Sequence, residues 1–259
     1  MESRLIIMES PSNLRARGRA ALAGHWKEAV LAVLIYNVLL SLVSSLIDAF
    51  LGWQYTYTDV FGETVTSGAS PSGIYMLLVG GPLTFGITMF FLNLFRHQDT
   101  DITQVVRGFE KFGKSFVLML LIGIFTILWL LLLVVPGIIA LLRYSQAFYI
   151  MNDRPELSAM DCIRESKRMM DGNKAKLFVT ALTFIGWAIL AALPAAGYSA
   201  VFMDSSLAFT PASALPSIGY FILSAGSLWV TAYLYATFTA FYELLRGNLS
   251  GQVFAPDQY

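Results

Sequence analysis

The sequence of 259 residues predicts an all-α fold, a polytopic membrane helix bundle of six transmembrane helices in three hairpins with cytoplasmic amphipathic helices. Three observations predict it. Only 13% of the residues are charged, against about a quarter in an ordinary soluble domain, which leaves too little polar surface for folding in water. The mean hydropathy is +0.64, and long apolar stretches recur along the chain. Every Lys and Arg except Arg143 lies near a terminus or in two of the connections, and the other connections carry none. The whole of 1–259 is therefore expected to form one integral membrane domain.

A span needs about 20 mostly apolar residues, because the hydrocarbon layer is about 30 Å thick and each helical residue rises about 1.5 Å. The start, MESRLIIMES, is too short in apolar residues for a signal peptide, and the first long apolar stretch has no cleavage site, so it is expected to be retained. The expected spans are 29–50, 74–95, 116–135, 137–151, 177–200 and 218–245. The fourth is short and contains Arg143, and charge decides that it crosses. Five cations precede Ala29, four lie between the second and third spans, and six lie between Asn152 and Lys176, whereas 51–73 has none. Lys and Arg resist translocation, so these stretches belong inside. If 137–151 did not cross, the loop with six cations would face outward. Pro136-Gly137 supplies the outer turn in this reading, and Gly80-Gly81-Pro82 a kink in the second span. Trp26 falls at the inner boundary and Trp53, Tyr55 and Tyr57 at the outer one, as interfacial aromatics do.

The three inner connections look alike, each an amphipathic segment followed by a glycine, a lysine and a span. Ile102, Val105, Val106, Phe109 and Phe112 recur at helical spacing in the second. In the third, Asp153-Arg-Pro-Glu156 resembles a capping box and Leu157, Met160, Ile163 and Met170 form an apolar stripe. The joins are Gly24-His-Trp-Lys27, Gly113-Lys114 and Gly172-Asn-Lys174, which suggests a triplicated unit of interfacial helix plus hairpin.

From about Asn13 to Leu245 the chain resembles the uncharacterised bacterial membrane proteins grouped as domain of unknown function 975. The resemblance rests on Gly24-His-Trp26, Gly81-Pro82-Leu83, Gly108-Phe109 with Phe112-Gly113, and Trp129 with Pro136-Gly137-Ile138-Ile139. It continues through Arg143-Tyr144-Ser145, Ser166 to Gly172, Phe184-Ile185-Gly186-Trp187 and Phe241-Tyr242. The chain departs from the pattern at Thr231-Ala232-Tyr233, where a proline before the tyrosine is usual, and in a longer connection at about 199–217. More distantly it is similar to the membrane domain of some glycerophosphodiester phosphodiesterases, without their catalytic domain. The resemblance implies a bacterial cytoplasmic membrane and no known activity.

Arg143 is the most informative residue. At 1.5 Å per residue it lies about 9 Å from the outer turn and about 13 Å from the inner edge, where an ionised side chain costs at least ~2.5 kcal/mol and faces protein or a wet cavity. With Tyr144, Ser145 and Asp48 it forms a candidate intramembrane polar site for an anion or a headgroup. The plainer reading is an arginine that snorkels, or pairs with Asp48 and fixes packing. Asp48 and Glu243, near opposite boundaries, are expected to reach water. Arg164, Lys167, Arg168, Lys174 and Lys176 form a candidate surface for anionic headgroups, at about 1 kcal/mol each, or for a partner protein. The bland alternative is that they set topology alone.

The composition bounds the chemistry further. A net charge of zero argues against nucleic acid, and the one cysteine, Cys162, excludes an intramolecular disulfide and a cysteine zinc site. His25 and His97 have no metal-ligand spacing, and no GxSxG, GxxxxGK or HExxH occurs. No catalytic, cofactor-binding or metal residue is therefore assigned. The leading expectation is a non-enzymatic membrane protein with a lipid-interacting, sensing or partner-support role. The alternative is a transporter or lipid flippase with a mid-membrane anion site at Arg143, kept open by the two expected helix breaks. A membrane-embedded enzyme ranks third, for want of a nucleophile and a base.

Overall fold

The computed structural model describes residues 5–58, 60–98, 100–202, 214–249 and 253–254. These residues are mostly helical. Helix α1 (Pro11–Leu22) begins where Ser10 Oγ accepts from the Asn13 amide at 3.2 Å, with proline in its first turn. Gly24, at φ 84°, takes the left-handed conformation that turns the chain into the first apolar stretch. That stretch runs Trp26–Leu51 as α2 (Trp26–Asn37), a π turn (Val38–Leu42) and α3 (Val43–Leu51). The Tyr75 hydroxyl donates to the Leu39 carbonyl inside the π turn.

Two short sheets depart from the all-α expectation. Strands β2 (Trp53–Thr58) and β3 (Thr64–Ala69) pair antiparallel from Trp53↔Ala69 to Thr58↔Thr64, which suits the alternating aromatic and threonine residues. Strand β1 (Ile6–Ile7) pairs with β4 (Val253–Phe254), bringing the two ends of the chain together.

Helix α4 (Ser72–Phe95) runs without a break through Gly80-Gly81-Pro82, which corrects the expected interruption. Two of its glycines serve close packing instead. A Cβ on Gly81 would meet the Ser115 carbonyl oxygen at 2.5 Å, and one on Gly86 the Val105 oxygen at 2.1 Å. The second inner connection is one turn of α5 (Gln104–Arg107) and one 3-10 turn (Gly108–Lys111), rather than a full amphipathic helix. A Cβ on Gly108 would lie 2.0 Å from the Pro82 carbonyl oxygen, so α4 and this connection touch backbone to backbone.

Helices α6 (Phe112–Leu132) and α7 (Val134–Tyr144) pack against each other and turn at Leu133. The turn thus precedes Pro136-Gly137, where the sequence suggested it. Pro136 sits in the first turn of α7, where no intrahelical partner is lost. Gly137 lets the start of α7 approach Leu130, whose Cδ2 would be 2.3 Å from an added Cβ. Helix α8 (Ala147–Asp153) follows, and then α9 (Ala159–Met169), capped by Ser158. The Ser158 hydroxyl donates to Asp161 Oδ2 at 2.5 Å and accepts from the Asp161 amide at 3.2 Å. The cap of α9 is therefore Ser158, not Asp153. Beyond α9 come α10 (Lys174–Leu182), α11 (Ile185–Phe202), α12 (Ala214–Leu223) and α13 (Gly226–Leu245). Most of the connection at 199–217 lies outside the described residues.

Among the described residues four stretches are long and apolar enough to cross a membrane: Trp26–Leu51, Ser72–Phe95, Gln104–Leu132 and Val134–Asp153. A fifth, Lys174–Leu182 with Ile185–Val201, is bent by 43°. The sixth expected span is split between α12 and α13, and α13 is rich in Ser, Thr and Tyr. Of those residues Thr237, Thr239 and Tyr242 are buried. From Thr239 to Leu245 α13 is buried, and it contributes to all three apolar clusters of the core. The Thr237 and Thr239 hydroxyls donate to the carbonyls of Tyr233 and Tyr235 at 2.8 and 2.9 Å. The apolar tip of α6 and α7 is the opposite case, with Leu131 79% exposed and Leu132 to Val135 at 65–66%. A patch of that size marks a surface that something apolar covers.

Candidate functional site

Three helices end together. Arg96 follows the last turn of α4, Asp153 closes α8, and Glu243 lies in the last turn of α13. The Arg96 guanidinium makes a two-pronged contact with Asp153, Nη1 to Oδ1 at 2.7 Å and Nη2 to Oδ2 at 2.9 Å. Its Nε donates to Glu243 Oε1 at 2.8 Å. The Tyr242 hydroxyl donates to Asp153 Oδ2 at 2.8 Å, Arg246 Nε stands 3.6 Å from the same oxygen, and Asn248 Nδ2 donates to Glu243 Oε2 at 2.6 Å. Two positive and two negative charges balance, with the Glu243 and Asp153 side chains 3% and 7% exposed.

Local structure aims these groups. Helices α4 and α13 both end in paired turns, Gln98 to Asn93 and His97 to Leu94 in one, Asn248 to Glu243 and Gly247 to Leu244 in the other. The left-handed residue is His97 (φ 54°) or Gly247 (φ 72°), and an arginine precedes each. A cation at a helix C-terminus is favoured by the helix dipole, whereas Asp153 at the end of α8 is disfavoured by it. The two arginines offset that. Hydrogen bonding to Asp153, with the nearby Glu243 charge, raises Arg96 above its ordinary value and keeps it cationic. Charge-assisted, two-pronged pairs of this kind are strong and direction-specific. No nucleophile is activated here; the arrangement clamps three helix ends.

This cluster escaped the sequence reading. Glu243 does not reach water but is buried against Arg96. The available signal was a charge at the end of each of three apolar stretches, Arg96, Asp153 and Glu243.

The residues named from sequence separate into two places. Asp48 lies with the start of α4, accepting from the Ser72 amide at 3.1 Å, Ser72 Oγ at 2.6 Å and Ser70 Oγ at 2.9 Å. It caps that helix and makes no pair with Arg143 among the described residues. Tyr144 is buried beside Phe125, ring centres 6.3 Å apart, and Ser145 Oγ donates to the Leu142 carbonyl at 2.9 Å. The Arg143 carbonyl accepts from Ser166 Oγ of α9 at 2.7 Å, so the basic helix reaches the level of Arg143. Arg143 Nε is sealed from solvent with no acceptor. Lys167 Nζ stands 5.4 Å from the Tyr144 ring centre and 5.8 Å from that of Phe125. Arg164 and Arg168 are exposed, pairing with Asp161 and Glu165 at 2.8 and 2.9 Å, and Lys174 pairs with Asp171 at 3.3 Å. Lys176 is half-buried. Of the expected stripe, Ile163 and Met170 are buried and Leu157 packs against the core, whereas Met160 is 36% exposed and Cys162 and Ser166 are buried beside Ile163. Among the described residues no three His, Cys, Asp or Glu stand together to hold a metal.

Neither a curated protein nor a solved structure matches the chain. The more distant likeness to the membrane domain of glycerophosphodiester phosphodiesterases finds no support among these comparisons. One family model does match, over residues 8–141 and 124–249, and the chain belongs to that family, described as protein of unknown function (DUF975).

Proposed function

We propose that the chain is a six-crossing protein of a bacterial cytoplasmic membrane, built as three helix hairpins with both termini and the basic connections inside. In this reading its role is non-enzymatic: it engages anionic lipid headgroups at the inner face, where it also offers a surface to a partner. One observation carries the reading. The N-terminal segment, the ends of α4 and α8, the α9 connection and the C-terminal segment all meet at one end of the bundle. Asn173 bonds to the Leu5 carbonyl and the Ile7 amide at 2.9 Å each, Lys114 Nζ donates to the Pro155 carbonyl at 2.8 Å, and Arg96 joins Asp153 and Glu243. The stretches 26–95, 112–153 and 174–245 each begin and end there, which supports an out-and-back path for each. Arg19, Lys27, Arg107, Lys111, Arg164 and Arg168 are exposed, at about 1 kcal/mol apiece toward an anionic surface.

The transporter reading is supported less, because α4 has no interruption and Arg143 lies against α9. The test replaces Arg107, Lys111, Arg164 and Arg168 by Gln and counts lipids retained by the purified protein. Selectivity for phosphatidylglycerol over phosphatidylcholine is expected to fall more than tenfold. Unchanged selectivity, or reporter tags placing 152–176 outside, would overturn the reading.

A further inference from the structure

A cleft of about 210 Å³ lies between the first apolar stretch and the α12–α13 turn, where α12 packs on the π turn and on α3. Its polar lining is Asn37, Ser41 and Ser45 on one side and Tyr220, Ser224 and Ser227 on the other, and none of the lining residues is charged. At about 1.5 Å per residue, Ser41 stands about 22 Å along the helix from Trp26 and about 15 Å from Leu51. The cleft is therefore deep within a stretch long and apolar enough to cross a membrane. Polar groups at that depth are disfavoured unless something satisfies them.

Both walls are interrupted helices. On one side the π turn closes with the Val43 amide on the Val38 carbonyl. On the other, α12 ends at Leu223, and the Ala225 amide turns to the Ile222 carbonyl, leaving the Phe221 carbonyl to the Ser224 hydroxyl at 2.7 Å. π turns recur at functional sites, and interrupted spans line substrate sites. The protons of the lining groups are largely spent within their own helices. Ser45 Oγ donates to the Ser41 carbonyl at 3.0 Å, Ser227 Oγ to the Ser224 carbonyl at 2.6 Å, and Asn37 Nδ2 to the Val33 carbonyl at 2.9 Å. These serines therefore offer the cleft oxygen lone pairs, and Asn37 adds its carboxamide oxygen.

We infer that this cleft binds an uncharged hydroxyl-bearing group, whose O–H protons go to the serine and Asn37 oxygens and whose carbons rest on Leu42 and Phe221. An anion is disfavoured by an acceptor lining. A cation taken out of water with no carboxylate in the lining costs far more than a neutral hydroxyl. The volume exceeds the about 10–15 Å³ that one water needs and falls below the about 300–1,000 Å³ of pockets for drug-sized molecules. That sets the ligand at the size of a short polyol. Ser41, Ser45 and Tyr220 are exposed, so the cleft is open at the side of the bundle, to a free polyol or to one carried as the head of a neutral lipid. The site is independent of the inner-face reading, since no basic residue takes part.

The full chain, purified in an amine-oxide detergent that carries no hydroxyl, is titrated with radiolabelled glycerol by equilibrium dialysis and with a monoacylglycerol by native mass spectrometry. One molecule per chain of at least one of them is expected to bind. The O-methylated analogue of the bound compound, which cannot donate, is expected to bind at least tenfold more weakly, and sodium chloride not to compete. Glycerol alone would name the free polyol as the source, and the monoacylglycerol alone the lipid. Ser41→Leu with Ser45→Leu fills the cleft from exposed positions and is expected to lower affinity more than tenfold, with thermal unfolding verifying the fold. Ser45→Ala, which removes one acceptor without added bulk, is expected to lower it several-fold. Binding of neither compound, undiminished binding in the folded double variant, an equally tight methylated analogue or displacement by sodium would each overturn the inference.

Discussion

Two groups of charge lie at the same end of the bundle and are treated in opposite ways. Around Asp153 each carboxylate meets an arginine, and a tyrosine and an asparagine take further oxygens. At the other group Lys167 lies over two aromatic rings and Arg143 Nε has no acceptor, and neither cation pairs with a carboxylate among the described residues. A satisfied buried network fixes geometry, and removing one member leaves the others stranded. The unpaired cations have no such partner to lose, so removing one strands no opposite charge. The contrast separates charges that hold helix ends together from charges that do not.

The sharpest way to break the contrast is Asp153→Ala. It leaves Arg96 with Glu243 alone, strands Arg246 and removes the acceptor of Tyr242, which should cost about 3 kcal/mol, the lower end for a broken buried pair because Arg96 keeps one partner and is partly exposed. The expected result is a clear fall in the thermal midpoint in detergent; a midpoint within error of the parent would show that the cluster does not hold the helix ends. Next in size is Gly108→Ala, which reaches the clamp by steric means. Its Cβ would strike the Pro82 carbonyl and push α5 from α4, at about 1–3 kcal/mol by analogy with overpacked cores, read from the same melts. The smallest effect is expected of Arg143→Leu, which removes no ion pair and should move stability by less than ~0.5 kcal/mol. A large loss there would make Arg143 a structural residue and erase the contrast.

Much of the helical plan was legible because hydropathy is local. The stretches at 26–51, 72–95 and 134–153 read from residue type alone, and the uneven placement of Lys and Arg separated the last from its predecessor. Long-range pairing was not legible. Arg96 is 57 residues from Asp153 and 147 from Glu243, and no periodicity joins such positions. Local motifs also misled where tertiary contact overrode them. Asp153 had the spacing of a cap, yet a nearby serine caps α9 and Asp153 turns to Arg96. Gly80-Gly81-Pro82 had the composition of a break, yet the role of Gly81 is to admit the Ser115 backbone. For α13 the Thr and Tyr content lowered hydropathy because the helix is wrapped by protein, a fact set by its neighbours.

The π turn at Val38–Leu42 carries a consequence at the opposite end of the bundle. A five-residue closure takes in one residue more than an α turn, so everything beyond it is rotated by about 100° relative to an uninterrupted helix. That rotation presents Asp48 to the first amides of α4. Excising a single residue from 38–42 would straighten the coil, swing the carboxylate toward a different neighbour and uncap a helix whose start is 24 residues further along the chain.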